Sequence, residues 1–224
     1  VTALPLASQG VLYLADGVTA VTTAMVLTPA QMVGLKFVPA ADYNGTVTIP
    51  YSVTDNAGLV STATANAVIT VTPVNDAPVT GPDTATTAFN TPVTNINVLA
   101  NDSDVDGDTL SVTGATVDPT KGTVTVNGDG TLNFTPTATA SGAVVITYTV
   151  SDGTTSTNGT LTVTVGANTA PVADAVAVSG LEDAASIVFS LSGSDADAGG
   201  SIASAKVTAL PLASQGVLYL ADGV

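Results

Sequence analysis

The chain contains many short runs in which β-branched or apolar residues alternate with Thr or Ser. Such runs lie at 109–117, 122–126, 131–135, 144–150 and 160–165, and turn-forming residues rich in Asp, Asn, Pro and Gly separate several of them. An alternation with a period of two is typical of half-buried strands, and strands spaced about 8 to 12 residues apart are typical of β-sandwiches. The pattern therefore predicts an all-β fold of antiparallel sandwiches, most similar to the immunoglobulin type.

Two local features refine this prediction. Tyr148 lies in the run ITYTV and is expected to be a core aromatic of a late strand. Residues 28–32 (TPAQM) have helix chemistry, with Thr as the cap and Pro in the first position, but the segment is short. We expect one turn there and no longer helix.

The first eighteen residues, VTALPLASQGVLYLADGV, recur verbatim at 207–224. A verbatim repeat at a fixed period indicates a tandem array of similar units. We therefore expect the chain to be a piece of such an array, with neither end a natural domain boundary. Arrays copied this faithfully usually supply length or repeated binding surface, and rarely separate catalysts.

Two segments mark the expected domain boundaries. Residues 72–79 and 167–174 each follow a Val/Thr-rich run and place Asn, Ala and Pro before a new extended stretch. Pro cannot donate to a sheet ladder, so it suits the entry to an edge strand. We predict a complete sandwich, domain B, at 75–168. Residues 1–74 would be the C-terminal portion of a second type, domain A, and 169–224 the N-terminal portion of the next domain A.

The two types resemble each other. Residues 146–153 match 49–56, residues 132–136 match 35–39, and the acidic segment 101–108 matches 193–200. The array would then read A-B-A-B. Two arrangements of domain A stay open at this point: end-to-end complementation between copies, and a split domain with B inserted between its halves.

The composition limits the function. The chain has seventeen Asp and one Glu but only three Lys, no Arg, His, Cys or Trp, and a formal net charge of −15. Such a polyanion disfavours nucleic acid as a partner. No apolar run approaches the roughly 18 residues of a membrane-spanning helix. Without His or Cys, the usual general base and thiol nucleophile are missing. We expect no nucleic-acid partner, no membrane insertion of this fragment and no enzyme.

The acidity is concentrated at Asp102, Asp104, Asp106 and Asp108, which alternate along the chain. In a straight strand their carboxylates would lie about 6 to 7 Å apart on one face. One cation with ligands at roughly 2.4 Å could not bridge them, so Gly107 must bend the segment. Carboxylates this close need a cation, protonation or wide exposure. Ca²⁺ suits an all-oxygen loop, whereas the Cys and His ligands usual for zinc are missing.

The segment is not an EF-hand. Asp102, Asp104, Asp106 and Gly107 fill positions 1, 3, 5 and 6 of that loop, but position 12 is Thr113 and not Glu. The flanking residues also have strand character. A calcium loop between strands is the better interpretation.

Four segments carry a family resemblance: VLANDSDVDGDTLSVTG, ITVTPVNDAPV, YTVSDG and PAADYNGT. They resemble the cadherin-like, bacterial immunoglobulin-like domains repeated in giant repeats-in-toxin type adhesins of Gram-negative bacteria. The resemblance implies an extender region secreted by a type I system, with calcium-binding junctions, that projects a distal ligand-binding region for attachment and biofilm formation. It also implies an extracellular location at the bacterial surface, anchored in the outer membrane through another region, with neighbouring repeats of the same chain as partners.

The resemblance also implies a set of calcium ligands. In domain B they would be Asn75, Asp76, Asp102, Asp104, Asp106, Asp108 and Asp152, and in domain A Asp55, Glu182, Asp183, Asp195 and Asp197. The second set departs from the family pattern, because Gly199 stands where a third loop Asp is expected and the linker at Asn168-Thr169 lacks the Asp of Asn75-Asp76. We therefore expect the junction around Asp76 to bind calcium more strongly.

Each candidate also has a simpler interpretation. Asp76, Asp152 and Asp183 could singly be turn residues that bond nearby backbone. Asp16 (repeated as Asp222), Asp118 and Asp129 are expected to be structural residues of hairpin turns. The alternative function is a carbohydrate- or protein-binding module repeated for avidity, although only 4% of the residues are aromatic.

Overall fold

The computed structural model describes residues 1–23 and 25–220. In these ranges the chain is all-β, as the alternation predicts, and contains no helix long and apolar enough to span a membrane. The strands are β1 Gly10–Tyr13, β2 Lys36–Pro39, β3 Gly45–Tyr51, β4 Ala65–Val71, β5 Pro82–Thr87, β6 Val93–Ile96, β7 Ser111–Val117, β8 Gly122–Val126, β9 Leu132–Pro136, β10 Gly142–Ser151, β11 Ser156–Val165, β12 Val172–Ala173 and β13 Gly193–Ser194.

The chain forms two compact units. Unit 1 comprises 1–78 together with two loops, 103–110 and 152–156, and unit 2 comprises 79–102, 111–151 and the chain from Thr157 on. The acidic loop thus belongs to the same compact unit as the linker around Asp76. The domain boundaries at 74/75 and 168/169 stay a prediction from the sequence.

Unit 2 contains the two sheets of an immunoglobulin-like sandwich. One sheet has the order β5-β11-β10-β7 and the other β6-β9-β8. The pairs β7–β10, β6–β9 and β8–β9 are antiparallel, as expected. The edge strand β5 instead pairs with β11 in parallel. It begins at Pro82, and Pro is tolerated at a sheet edge because its missing N–H interrupts no central ladder.

The core of unit 2 lies between these sheets. Alternate side chains of β10 and β11 are fully buried, among them Ile146, Tyr148, Leu161 and Val163. The prediction that Tyr148 is a core aromatic is confirmed. Its ring also explains Gly159, where an added Cβ would lie 2.2 Å from Tyr148 Cζ. Only glycine fits beneath that ring.

Unit 1 has a smaller core. The antiparallel pairs β1–β2 and β3–β4 form two separate two-stranded sheets. Four buried side chains, Leu12, Val21, Val47 and Ile49, form a cluster with partly buried neighbours around it. The predicted single turn at 28–32 is confirmed, because Gln31 N and Met32 N donate to Thr28 O at 2.9 and 3.0 Å.

The described chain beyond β11 has little regular structure and is largely exposed. Among residues 166–220, only the short pair β12–β13 forms regular structure, and every residue of 167–192 and 198–220 is exposed. The verbatim repeat therefore occupies two environments. Leu12 is 4% exposed in β1, whereas its equivalent Leu218 is 39% exposed and lies outside any strand.

Candidate metal centre

The acidic loop is bent at Gly107, as the spacing of its carboxylates requires. Gly107 adopts a φ of 80°, in the left-handed region that favours glycine, and its N–H donates to Asp104 O at 3.3 Å. Asp106 N donates to Asp104 Oδ1 at 2.8 Å and tightens the same turn. The loop is therefore folded back and not extended.

The bend brings three carboxylates together. Asp104, Asp106 and Asp108 each place one carboxylate oxygen within 4.8 Å of the other two. Asp104 Oδ2 is buried and has no hydrogen-bond partner among the described residues. Withdrawing a carboxylate oxygen from water without a hydrogen-bond partner costs free energy. A hard divalent cation held by these oxygens would supply the missing partner, so this loop fits Ca²⁺.

The linker is attached to this loop through its backbone. Asp76 N donates to Asp106 Oδ2 at 2.8 Å. The carboxylate of Asp106 thus has one oxygen bound to the linker, while the residue also belongs to the three-carboxylate group. Any ion that fixes Asp106 also restrains the linker.

A second contact between the linker and the rest of unit 1 involves Asn75 and Asp152. Asn75 Nδ2 donates to Asp152 Oδ2 at 2.9 Å, and Thr154 N and Thr155 N donate to Oδ1 at 2.6 Å each. These donors, the Asn75 amide foremost, hold the pKa of Asp152 well below its usual range. Asp152 therefore stays charged and accepts a hydrogen bond from the linker residue Asn75. Its bonds to Thr154 N and Thr155 N are those of the turn residue that the sequence allowed. Its role as a calcium ligand stays a prediction.

Asp102 is not a member of the three-carboxylate group. Its Oδ1 accepts a hydrogen bond from Gly81 N at 2.9 Å in unit 2. Its Oδ2 is buried without a partner among the described residues. Asp102 thus carries a second orphaned oxygen, which is consistent with the predicted ligand role without testing it.

The loop of the second junction repeats the same hydrogen bonds with fewer carboxylates. Asp197 N donates to Asp195 Oδ1 at 3.0 Å, and Thr169 N donates to Asp197 Oδ2 at 2.6 Å. These contacts correspond to those that Asp104, Asp106 and Asp76 make in the first junction. Gly199 stands where the third carboxylate would be. The expectation of weaker calcium binding here has this physical basis and stays a prediction.

The remaining predicted ligands are not gathered in the described parts of the chain. Asp55 Oδ1 accepts hydrogen bonds from Ala57 N and Leu59 N, both at 2.8 Å, within its own turn. Glu182 and Asp183 are exposed, and Asp183 has a positive φ of 64°. None of these three belongs to a group of carboxylates close enough to share an ion within 1–23 and 25–220.

The aspartates assigned to turns are confirmed in that role. Asp16 Oδ1 accepts from Val18 N and Thr19 N at 2.9 Å each, and its bonds to Thr19 and Val18 lower its pKa to about 2. Asp118 and Asp129 bind Thr120 and Thr131 in the same way. Asp222 lies outside the described residues.

Sequence reasoning missed one polar pair. Tyr148 donates its hydroxyl hydrogen to Asp83 Oδ2 at 2.7 Å. Burial raises the pKa of Asp83 and of Tyr148 above their usual values. The only sequence signal was an acid at the second position of an edge strand, which by itself indicates no partner 65 residues away.

Comparisons with known proteins identify the kind of repeat. Residues 74–166 match the family model of the cadherin-like domain, and residues 7–70 match that of the bacterial Ig domain. No curated protein matches the chain. Bacterial Ig-like domains are typical of extracellular surface proteins.

The solved structures that match are only distantly similar. Endo-fucoidan hydrolase MfFcnA4 from glycoside hydrolase family 107 is 21% identical over 59% of this chain and 20% of that one, with a TM-score of 0.32. Endo-fucoidan hydrolase MfFcnA9 is 20% identical over 58% and 23%, with a TM-score of 0.26. The chain spans about a fifth of these enzymes, and the likeness carries no argument here. The family matches and the all-β topology together support immunoglobulin-like repeats in this chain, with a bacterial Ig-like match at 7–70 and a cadherin-like match at 74–166.

Proposed function

We propose that the chain is a structural extender segment of a long bacterial surface adhesin of the repeats-in-toxin type, stiffened by calcium at and near its domain junctions. In this role it projects a distal ligand-binding region for attachment and biofilm formation, after secretion by a type I system. The verbatim repeat and the Ig-like domains support a repeated module of a surface protein. The chain lacks His and Cys, and the proposal gives it no catalytic role.

The observation that carries the calcium part is the group of Asp104, Asp106 and Asp108 with its buried, unpartnered oxygen. These residues would hold the ion, and water would supply the rest of the roughly 6 to 8 oxygen ligands that calcium takes. The ion would offset the mutual repulsion of the carboxylates. Since Asp106 also accepts a hydrogen bond from the backbone of Asp76, the ion would restrain the linker as well.

The expected energy is modest for each site. Extracellular calcium modules bind with dissociation constants of about 10⁻⁴ to 10⁻³ M. At about 1 mM calcium, one such site stabilises the folded state by roughly 0.4 to 1.4 kcal/mol, following RT ln(1 + [L]/Kd). Many junctions in a long array would each contribute this amount. Stiffness would therefore depend on calcium along the whole array.

Isothermal titration of the full chain with CaCl₂ tests the site. The variant Asp108→Asn removes one carboxylate from the group, and Asp118→Asn is the matched control, because Asp118 only caps its own turn. We expect the titration of Asp108→Asn to lose one binding event that the parent and Asp118→Asn retain. Identical isotherms for all three proteins would refute the assignment.

A further inference from the structure

Three asparagines of the chain are each followed by glycine, and they lie in different surroundings. The pairs are Asn44-Gly45, Asn127-Gly128 and Asn158-Gly159. Asparagine is a chemically labile residue, and a following glycine has no side chain to hinder the approach of its backbone nitrogen to the carboxamide. That nitrogen can attack the Asn side chain and displace its amide. The surroundings of each pair therefore decide which asparagine reacts.

The carboxamide of Asn127 is held by hydrogen bonds at both of its polar atoms. Its Nδ2 donates to Thr131 Oγ1 at 2.8 Å and to Asn133 Oδ1 at 3.0 Å. Its oxygen accepts from Asn133 Nδ2 at 2.8 Å. These bonds must break before the side chain can turn toward the nitrogen of Gly128. Breaking one such bond slows the reaction by about fivefold.

Asn158 and Gly159 are held within a sheet. Both lie in β11, the strand between β5 and β10. Asn158 Oδ1 accepts a hydrogen bond from Thr149 Oγ1 at 3.0 Å. Gly159 is buried against the ring of Tyr148. Attack of its nitrogen on Asn158 would require this part of the sheet to open.

Asn44 has neither of these restraints. It is exposed and lies immediately before β3, which begins at Gly45. Its side chain makes no hydrogen bond to another residue in the described part of the chain. The turn is held by its neighbour instead, because Tyr43 N donates to Ala40 O and the Tyr43 hydroxyl donates to Thr46 O, both at 3.3 Å. The carboxamide of Asn44 can therefore rotate while the turn stays folded.

Asn44 also lines a cleft of unit 1 that is already acidic. This linker cleft has a volume of about 250 Å³, and Asp42, Asp76 and Asp106 belong to its lining. Within it, Asp76 N donates to Asp106 Oδ2, which is the contact between the linker and the acidic loop. A carboxylate at position 44 would be the fourth acidic group of the linker cleft.

We propose that Asn44-Gly45 is a site of spontaneous deamidation, which adds one negative charge to the linker cleft. The backbone nitrogen of Gly45 attacks Cγ of Asn44 and forms a C–N bond. The side-chain nitrogen leaves as ammonia with the proton of the Gly45 amide. One water molecule then opens the cyclic imide at either carbonyl, which leaves aspartate or isoaspartate at position 44. The modification goes beyond the spacer function, whereas its effect on calcium rests on that proposed function.

The new charge acts in opposite directions with and without a cation. Without one, it repels the carboxylates of Asp42, Asp76 and Asp106, and such repulsion destabilises the folded unit. When calcium occupies the proposed site at the acidic loop, the new charge attracts the ion. Deamidation therefore makes the folding of unit 1 depend more strongly on calcium as a copy ages.

Mass spectrometry of the full chain, aged at neutral pH in H₂¹⁸O, tests the modification. Opening of the imide incorporates ¹⁸O, so a digest of one sample reports all three Asn-Gly pairs. We expect conversion at Asn44 to be about tenfold or more faster than at Asn127 and Asn158, because hydrogen bonds restrain both of these. In denaturant the three rates should converge, since each Asn precedes Gly. An unreactive Asn44 in the folded chain, or equal folded-state rates at the three sites, would overturn the proposal.

Isothermal titration with CaCl₂ tests the effect on calcium separately. Asn44→Asp carries the charge of the aged chain, and Asn66→Asp places the same charge at the opposite end of the β3–β4 hairpin. We expect Asn44→Asp to bind calcium about two- to fivefold more tightly than the parent and Asn66→Asp to bind like the parent. Identical isotherms for all three would refute the effect of position 44 on calcium. A parent that binds no calcium would refute the proposed function and leave the measured deamidation unaffected.

Discussion

The verbatim repeat allows the same substitution to be made twice in one molecule. Leu12 and Leu218 have identical neighbours in sequence, yet Leu12 is 4% exposed within the core of unit 1 and Leu218 is 39% exposed outside any strand. Leu→Ala at a buried position costs about 2 to 5 kcal/mol, and the larger values belong to sites that keep a closed cavity. Leu12 also lines an open groove of unit 1, so its removal enlarges solvent-accessible space. We therefore expect Leu12→Ala to destabilise unit 1 by about 2 kcal/mol, the lower end of this range.

Amide hydrogen exchange measures this effect in unit 1 alone. The amides of Val47 and Ile49, buried in β3, report the opening free energy of that unit without interference from unit 2. Leu12→Ala should lower their protection by about 2 kcal/mol, whereas Leu218→Ala should change it by less than about 0.5 kcal/mol. Equal losses from both substitutions would refute the reasoning, because identical sequence would then have identical packing.

Three further predictions concern polar contacts and the core. Tyr148→Phe should destabilise unit 2 by about 1.5 to 3 kcal/mol in urea unfolding, since the carboxylate of Asp83 loses its hydroxyl donor. Gly159→Ala should cost about 1 to 3 kcal/mol in the same assay, because the new methyl overlaps the Tyr148 ring; parent-like stability would contradict that contact. Asn75→Ala should raise the pKa of Asp152, measured by carboxyl ¹³C titration. The folded-state pKa of Asp152 is depressed, so its contribution to stability is present above the unfolded pKa and is lost as pH falls. In Asn75→Ala, the loss of this stability should therefore be complete at a higher pH than in the parent chain.

Local pattern determines most of what the sequence predicted correctly. The alternation at 122–126 gives β8 with the same bounds, and the longer β10 and β11 contain their predicted runs with a few residues added. The turn aspartates Asp118 and Asp129 were also predictable, because an Asp side chain in a turn bonds backbone only two residues away. These features depend on neighbours in sequence.

The sequence pattern did not predict contacts between residues that are distant in the chain. The parallel pairing of β5 with β11 joins segments about 80 residues apart, and no local signal distinguishes it from an antiparallel edge. The acidic spacing predicted the bend at Gly107, but not that Asp102 would bond Gly81 while Asp104, Asp106 and Asp108 come together. The different contacts of Asp102 and of the other three aspartates depend on the arrangement of the strands, which the local sequence does not reveal.

In the proposed function, calcium stiffens this chain as an extender. Small-angle X-ray scattering of a protein with several copies of the repeat, in 1–2 mM calcium or so and in excess chelator, tests it most directly. We expect a rod-like scattering profile in calcium and a marked decrease in maximum dimension on chelation. Variants with Asp108→Asn in every copy should resemble the chelated form even in calcium. An unchanged maximum dimension with and without chelator would show that calcium does not stiffen the chain.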